Sequence, residues 1–369
     1  MKAGTDIGRI AGAFQLPGSF VSAAPYGSGH INDTYAVTQD LGGSPRRFLL
    51  QRINERVFRD PRGLMANVSR VCAHAQSRLR QAGRRDADRR ALTLVPAKSG
   101  SDWHEDGVGG CWRCYLFIEG ATGHDVVKNE QQAREAARAF GAFQALLADL
   151  PGGRLNETIP FFHHTPTRYA NFVRALRADA HGRAAAAAEE ISFALGREAE
   201  ASLIVKAMSD GVIPERVTHN DTKLNNVLID DATGEGVCVI DLDTVMPGSA
   251  LYDFGDLVRT STSPAAEDET DLSKVQMRMS MFRALTEGYL ASAGGFLTAQ
   301  ERAWLPFSGK LITFEIGLRF LTDWLEGDVY FKVRRPGHNL DRCRTQFALV
   351  RSIEAQMKEM EAVVASVSS

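Results

Sequence analysis

The 369-residue sequence predicts an α+β protein of two unequal lobes, a small β-rich lobe followed by a large helical one. Three observations predict this. Short apolar or alternating runs, separated by turn residues, fill the first third. Apolar residues at helical spacing dominate from about residue 125 onward. Between the two, a short connection at Glu119-Gly-Ala-Thr122 breaks both patterns. The division that follows is 1–118 for the small lobe, 119–124 for a hinge and 125–369 for the helical lobe.

Tyr35-Ala-Val-Thr38 and Arg47 to Ile53 read as strands, and Gly42-Gly-Ser-Pro45 between them is a turn signal, so a hairpin is expected. Asp60-Pro61 opens a helix with Leu64, Val68, Val71, Ala75 and Leu79 on one face; proline is well placed in a first turn. Two further strands are expected at Ala91 to Pro96 and Cys111 to Glu119. In the second lobe, Glu130 to Leu150 places Ala133, Ala136, Ala137, Phe140, Phe143 and Leu147 on one helical face, and Pro151-Gly-Gly153 stops it. One long helix is expected from Ala184 to Ser209. Two short strands follow, Val227 to Ile229 and Val237 to Ile240, joined by the turn Asp231-Ala-Thr-Gly234. From Glu267 nearly everything is helical in pattern.

Composition excludes several function classes. With 43 Lys and Arg against 45 Asp and Glu, the net charge is −2, which gives no electrostatic footprint for nucleic acid. The basic cluster Arg84, Arg85, Arg89, Arg90 reads as a solvated helix end or loop. No apolar run is long enough for a bilayer, and Asp6 and Arg9 interrupt any secretory core, so a cytoplasmic protein without membrane partners is expected. Five scattered cysteines argue against a disulfide framework. Cys111-Trp-Arg-Cys114 matches C-x-x-C, but on a strand positions i and i+3 face opposite ways, which suits neither a shared metal nor a disulfide. Oligomeric state is not readable from the sequence.

The segment that carries chemistry is His219-Asn-Asp221-Thr-Lys223-Leu-Asn-Asn226, followed by a strand and Asp241-Leu-Asp243. Phosphoryl transfer needs a nucleophile held in line and phosphate charge neutralised, chiefly by Mg²⁺. Mg²⁺ takes hard oxygen ligands, one or two from the protein and the rest from phosphates and water. An acidic residue followed five positions later by asparagine supplies both needs from one loop. Asp221 would orient an acceptor hydroxyl and take its proton late, since an unperturbed carboxylate of pKa about 3.9 is a weak base. Asn226 would give an amide oxygen to the metal, and Asp241, emerging at a strand end, a carboxylate. Asp243 is a further metal or substrate contact. His219 is expected to brace the loop, and Asp253 to cap a helix and tie it to that loop.

The pattern H-x-D-x-x-x-x-N, then I-D-x-D, then Tyr252-Asp253-Phe-Gly-Asp256-Leu257 resembles the aminoglycoside phosphotransferase-like kinase superfamily. The resemblance implies a protein-kinase-like fold and ATP with Mg²⁺ as cofactors. At Lys223 the spacing D-x-K is that of serine/threonine kinases, whose lysine stabilises the transferring phosphate, and the same catalytic role is expected here. Tyr26-Gly-Ser-Gly-His30-Ile-Asn-Asp33-Thr-Tyr35, Leu50-Gln-Arg-Ile-Asn54, Pro336-Gly-His-Asn-Leu340 and Arg344-Thr-Gln-Phe347 narrow the likeness to the N-acetylhexosamine 1-kinase branch, over nearly the whole chain. That branch transfers the γ-phosphate of ATP to the anomeric hydroxyl of N-acetylglucosamine or N-acetylgalactosamine.

In such an enzyme Gly27, Ser28 and Gly29 form the loop over the phosphates, and Glu119 in the hinge joins the nucleotide-binding set. His30, Asn32 and Asp33, projecting from that loop, are candidate substrate contacts, together with Asp221 and Asp243. Arg319 is a buried-looking cation on an apolar helix, and burial of a charge demands a partner. That partner is the sugar, or else Glu315 or Asp323 in a structural ion pair. His163 and His164 read as loop or capping residues. The chain departs from the pattern in two respects, the first being that the small-lobe lysine that contacts the α- and β-phosphates is missing. Arg52 stands near its place and offers a fork of donors, with Gln51 one position off. The helix at 64–79 carries no glutamate to pair with such a cation.

Two other readings stay open. Another hydroxyl kinase of the superfamily could take an amino alcohol, homoserine or an aminoglycoside. Cationic acceptors call for aromatic cages or many carboxylates, and the one dense acidic cluster, Glu267 to Asp271, reads as a solvated loop. A non-catalytic ATP-binding pseudokinase is the other, motivated by the missing lysine and opposed by the intact Asp221, Asn226 and Asp241.

Overall fold

A computed structural model describes residues 6–27, 29 and 31–368, so Ser28 and His30 lie outside the described residues. After a short helix α1 (Ile7–Ala11), strands β1 (Ser19–Pro25), β2 (Asp33–Asp40) and β3 (Pro45–Arg52) form the expected hairpin and one strand before it. Helix α2 (Pro61–Gln81) follows, capped by Asp60, whose carboxylate accepts the Gly63 N–H at 2.9 Å. Then come α3 (Ala87–Arg90), β4 (His104–Glu105) and β5 (Cys111–Leu116). The strands make an antiparallel sheet in the order β1-β2-β3-β5-β4.

Strand alternation gives this sheet two different faces. Val37, Phe48, Leu50, Trp112 and Cys114 pack outward under α1 with Phe14, Val95 and Ala97. Cys111 and Tyr115 face the other way and belong to the main core, which continues into the helical lobe. Cys111 and Cys114 therefore sit in separate cores, as strand geometry requires, and all five cysteines are free and buried. Ala91 to Pro96, expected as a strand, makes one isolated bridge, Leu94 to Tyr115; Pro96 has no N–H with which to extend a ladder.

The connection forms β6 (Ala121–Gly123). Helices α4 (Glu130–Leu147), α5 (Thr165–Ala178), α6 (Ala188–Leu195), α7 (Glu198–Ala201) and α8 (Leu203–Ser209) follow. The single helix expected from Ala184 to Ser209 is thus broken into a 3₁₀ turn and three short helices. Phe193, Ala194, Ala201 and Ile204 are buried in the core across these breaks. Next are β7 (Arg216–Thr218), β8 (Val227–Asp230), β9 (Gly236–Val239) and β10 (Met246–Gly248). Strands β6, β8 and β9 form one small sheet and β7 and β10 another.

Helices α9 (Ala250–Ser261), α10 (Met279–Ala293), α11 (Ala299–Leu325) and α12 (His338–Ser368) complete the lobe. Helix α10 lies so close to α4 that a Cβ on Gly288 would fall 2.0 Å from the Arg134 carbonyl oxygen. The acidic stretch 267–271 is a solvated loop, as expected, tethered where Glu267 pairs with Arg259 and Asp268 accepts from His338 Nε2 at 2.9 Å. The basic cluster lies in an exposed turn and the short helix α3, where Arg84 and Arg90 pair with Asp86 and Arg89 with Asp230. Among the described residues no helix is long and apolar enough to cross a membrane.

Candidate active site

The loop between β7 and β8 carries the H-x-D-x-x-x-x-N residues, and buried polar groups hold it from three sides. Asp253, fully buried on α9, accepts the His219 N–H at 2.9 Å and the Asn220 N–H at 2.6 Å, and Gln144 of α4 donates to the same carboxylate at 2.5 Å. Asp253 thus ties helix to loop as expected, but it is Ser249 that caps α9. His219 is the expected brace: its Nδ1 accepts the Asp221 N–H at 3.3 Å and its Nε2 donates to the Ile240 carbonyl at 2.9 Å. Asn220 adopts φ 65°, a left-handed conformation that costs energy for a side-chain-bearing residue. Its amide secures this by donating to the Thr218 and Thr244 carbonyls at 3.1 and 2.9 Å.

The third hold was not legible as such. His163, read as a loop or capping residue, is buried, with Nδ1 2.8 Å from Glu315 Oε1 and Nε2 2.9 Å from the Asn220 carbonyl oxygen. The Asn220 carbonyl can only accept, so Nε2 carries a hydrogen, and an ionised Glu315 carboxylate favours a second one on Nδ1. Burial works against that charge, but the Glu315 carboxylate outweighs it and raises the His163 pKa. Glu315, itself lowered by His163 against the effect of burial, also accepts from Thr165 Oγ1 at 2.6 Å. His164 caps α5, accepting the Thr167 N–H at 3.2 Å.

These holds place Asp221 at the cleft. Its Oδ2 lies 3.0 Å from both Lys223 Nζ and Asn226 Nδ2. Burial raises its pKa, but the opposing charges, Lys223 foremost, bring it below the usual carboxylate range; Lys223 is raised in turn by Asp221. Asp241 follows β9 in a left-handed conformation, φ 60° and ψ 59°. Its side chain is open to the water of the cleft, yet protein surrounds it. That enclosure, with the nearby carboxylates of Asp243 and Asp221, pushes its pKa up to about 6. Among the described residues no donor bonds the Asp241 carboxylate.

This arrangement fits a divalent cation. Asp241 is a crowded, unsatisfied carboxylate, and Asn226, with its amide nitrogen spent on Asp221, has its oxygen left to offer. Among the described residues no three His, Cys, Asp or Glu side chains converge as ligands of one ion. An ion here would take its remaining ligands from phosphates and water, which is how Mg²⁺ is usually held.

Other expected residues lie elsewhere. Asp243 is buried against the Arg113 guanidinium and accepts from Asn32 Nδ2 at 2.6 Å, so it is spent within the protein and is not open to substrate. Asn32 is spent too, because its Oδ1 accepts the Asn54 N–H at 3.0 Å. Asp33 and Arg52 are cross-strand neighbours, two and four residues in phase with outward-facing Tyr35 and Phe48. Both therefore sit on the outer face of the sheet, and Arg52 lies beside Asp106 and Gly110 instead of the cleft. Glu119 pairs with Arg47 through its carboxylate and accepts from Arg89 through its carbonyl, which leaves the backbone N–H as its remaining polar group. Gly27 has φ 84°, which favours glycine, and a Cβ there would meet nothing within 4 Å; the same openness holds at Gly29.

Arg319 is half-buried on α11 and pairs with neither Glu315 nor Asp323. The latter accepts the backbone N–H groups of Val329, Tyr330 and Phe331. Its guanidinium lies 5.5 to 5.8 Å from the ring centres of Phe162, Tyr330 and Phe331. Arg168 is close by, lowered by burial and by the Arg319 charge.

The family is shown by comparison with known proteins. The chain belongs to APH, the phosphotransferase enzyme family, whose model matches residues 22–304. Among solved structures it is similar to an aminoglycoside phosphotransferase from Alicyclobacillus acidocaldarius (13% identity, TM-score 0.60, covering 100% of this chain and 96% of that one). It is also similar to a microcompartment-associated aminopropanol kinase (14%, 0.55, 96% and 98%). A third is a choline kinase from Cryptosporidium parvum (16%, 0.55, 96% of each). At these identities the likeness is one of fold.

Proposed function

We propose that this protein is an ATP-dependent kinase that phosphorylates the anomeric hydroxyl of an N-acetylhexosamine. The observation that supports it most is the ionised Asp221, gripped by Asn226 five residues on, in the same cleft as the open carboxylate of Asp241. Asp221 holds the acceptor hydroxyl and takes its proton as the new O–P bond forms and the bond to ADP breaks. Its lowered pKa suits a group that orients the hydroxyl first and accepts the proton late. Lys223 keeps Asp221 ionised and brings a positive charge to the site of transfer. Asn226 and Asp241 would hold Mg²⁺, which supplies charge neutralisation for the phosphates. Gly27, Ser28 and Gly29 would cover the phosphates, and 119–124 is the hinge between lobes 1–118 and 125–369.

The acceptor reading draws support from charge. Arg319 and Arg168 bring two cations to the same region, with the nearby Glu315 already committed to His163 and Thr165. A neutral, oxygen-rich sugar suits that surface better than an ammonium-bearing alcohol. The test is ADP release with Mg·ATP and N-acetylglucosamine, N-acetylgalactosamine, glucose, choline or kanamycin, with Asp221→Ala as control. Turnover on the acetylated sugars, yielding an acid-labile phosphate, is expected. Turnover only on choline or kanamycin would overturn the acceptor, and ATP binding without turnover on any of the five would move the reading to another acceptor or to a non-catalytic protein.

A further inference from the structure

The small lobe lacks a lysine where one usually meets the phosphates, and Arg52 faces the wrong side of the sheet. The opposite face carries another cation. Gln51 of β3 and Arg113 of β5 are direct cross-strand partners, and both point inward. Arg113 Nε donates to Gln51 Oε1 at 3.1 Å, and Gln51 Nε2 donates to Thr34 Oγ1 at 3.0 Å. Arg113 Nη1 abuts Asp243 Oδ1 as an ion contact, without the alignment of a hydrogen bond, and the two side chains are only 1% and 3% exposed. The other oxygen of Asp243 takes Asn32 Nδ2. Asn32 lies just beyond the glycine loop, and Asp243 lies two residues after Asp241, in the 3₁₀ turn that Asp241 enters with left-handed backbone.

We propose that Arg113 is the positioning cation of the nucleotide site, locking the stem of the glycine loop and the Asp241 turn into one unit through Asp243. This rests on the kinase reading above. It places on β5, with an aspartate of the large lobe as partner, the cation–carboxylate pair that kinases otherwise build from a strand lysine and a helix glutamate. Two facts favour positioning over mere stability. A buried ion pair seldom stabilises a fold more than an apolar pair of equal volume, so stability alone gives little reason for charges here. The bidentate reach of a guanidinium also suits the task of holding Gln51 and Asp243 at once.

The test separates folding from positioning. Thermal unfolding and calorimetric Mg·ATP affinity are measured for wild type, Arg113→Met, Arg113→Lys and the double variant Arg113→Met/Asp243→Asn. Arg113→Met is expected to lose thermal stability and to bind Mg·ATP about ten- to a hundredfold more weakly, the usual effect of removing a group that orients a metal ligand. The double variant removes the stranded carboxylate and should regain most of the melting temperature while keeping the weak binding. Wild-type affinity in the double variant would overturn the proposal. If the double variant does not fold, Arg113→Lys decides: weakened affinity at near-native stability supports it, and unchanged affinity overturns it. Wild-type protein that does not bind Mg·ATP would instead sink the kinase reading on which it rests.

Discussion

Two buried ion pairs stand on opposite sides of the cleft, and they hold its two halves by different chemistry. On the helical side, His163 and Glu315 fix the carbonyl of Asn220, and so the loop that bears Asp221. On the sheet side, Arg113 and Asp243 fix the turn that bears Asp241. Both pairs cost desolvation, and each leaves a stranded charge if one member is removed. The difference lies in titration: imidazole can lose its charge near neutral pH, whereas a guanidinium cannot. The helical half of the site is therefore pH-sensitive in its packing, and the sheet half is fixed.

The comparison can be broken most severely at the residue both halves serve. Asp221→Ala should lower kcat by roughly 10²- to 10⁴-fold, the range for a positioned general base, with melting temperature nearly unchanged. Next in size, His163→Ala leaves Glu315 buried without its counter-charge and should cost about 3–5 kcal/mol in denaturant unfolding. Glu315→Ala should cost a similar amount, and the double variant less than the sum, since the two residues share one interaction.

The pH response sharpens the contrast. The His163 pKa is raised in the folded state, so its contribution is full below the free value of about 6.5 and is lost as pH climbs through the raised value. The Glu315 pKa is lowered, so its contribution is full above about 4.3 and is lost as pH falls through the lowered value. Stability from this pair should thus be greatest between those limits. Melting curves from pH 5 to 9, roughly spanning the ordinary histidine range, should decline at the alkaline end for wild type but not for the double variant His163→Phe/Glu315→Leu, which carries neither charge. A decline of equal size in that double variant would assign it elsewhere. The smallest effect is expected at Arg52→Ala, which changes the outer face only. Its KM for ATP should stay within about twofold, as for surface changes away from a site, in contrast to Arg113→Met.

Much of the frame was legible because its signals are local. The hairpin of β2 and β3, the capped α2, the one-faced α4 and the β8–β9 turn follow from periodicity, caps and turn residues within a few positions. The meeting of Asp221 with Asn226 was legible from spacing, since a loop of fixed length brings the two together. The break-up of 184–209 was not, because its buried residues keep helical spacing across the breaks. Nor was the choice between Arg52 and Arg113. One residue of strand phase separates a cleft-facing side chain from an outward one. The signal that could have pointed to Arg113 is a charge set inside the apolar run CWRCYLF, which on burial must find a partner. His163 offered no comparable mark.

By itself, then, the sequence determined the two-lobed plan and the candidate residues for phosphoryl transfer, because both are written in short-range pattern. Only the tertiary structure decided which charges face the cleft and which are consumed in holding it. The partner of a buried charge is chosen by proximity and desolvation across the fold, and Arg113 and Asp243, like His163 and Glu315, are distant in the chain and adjacent in space.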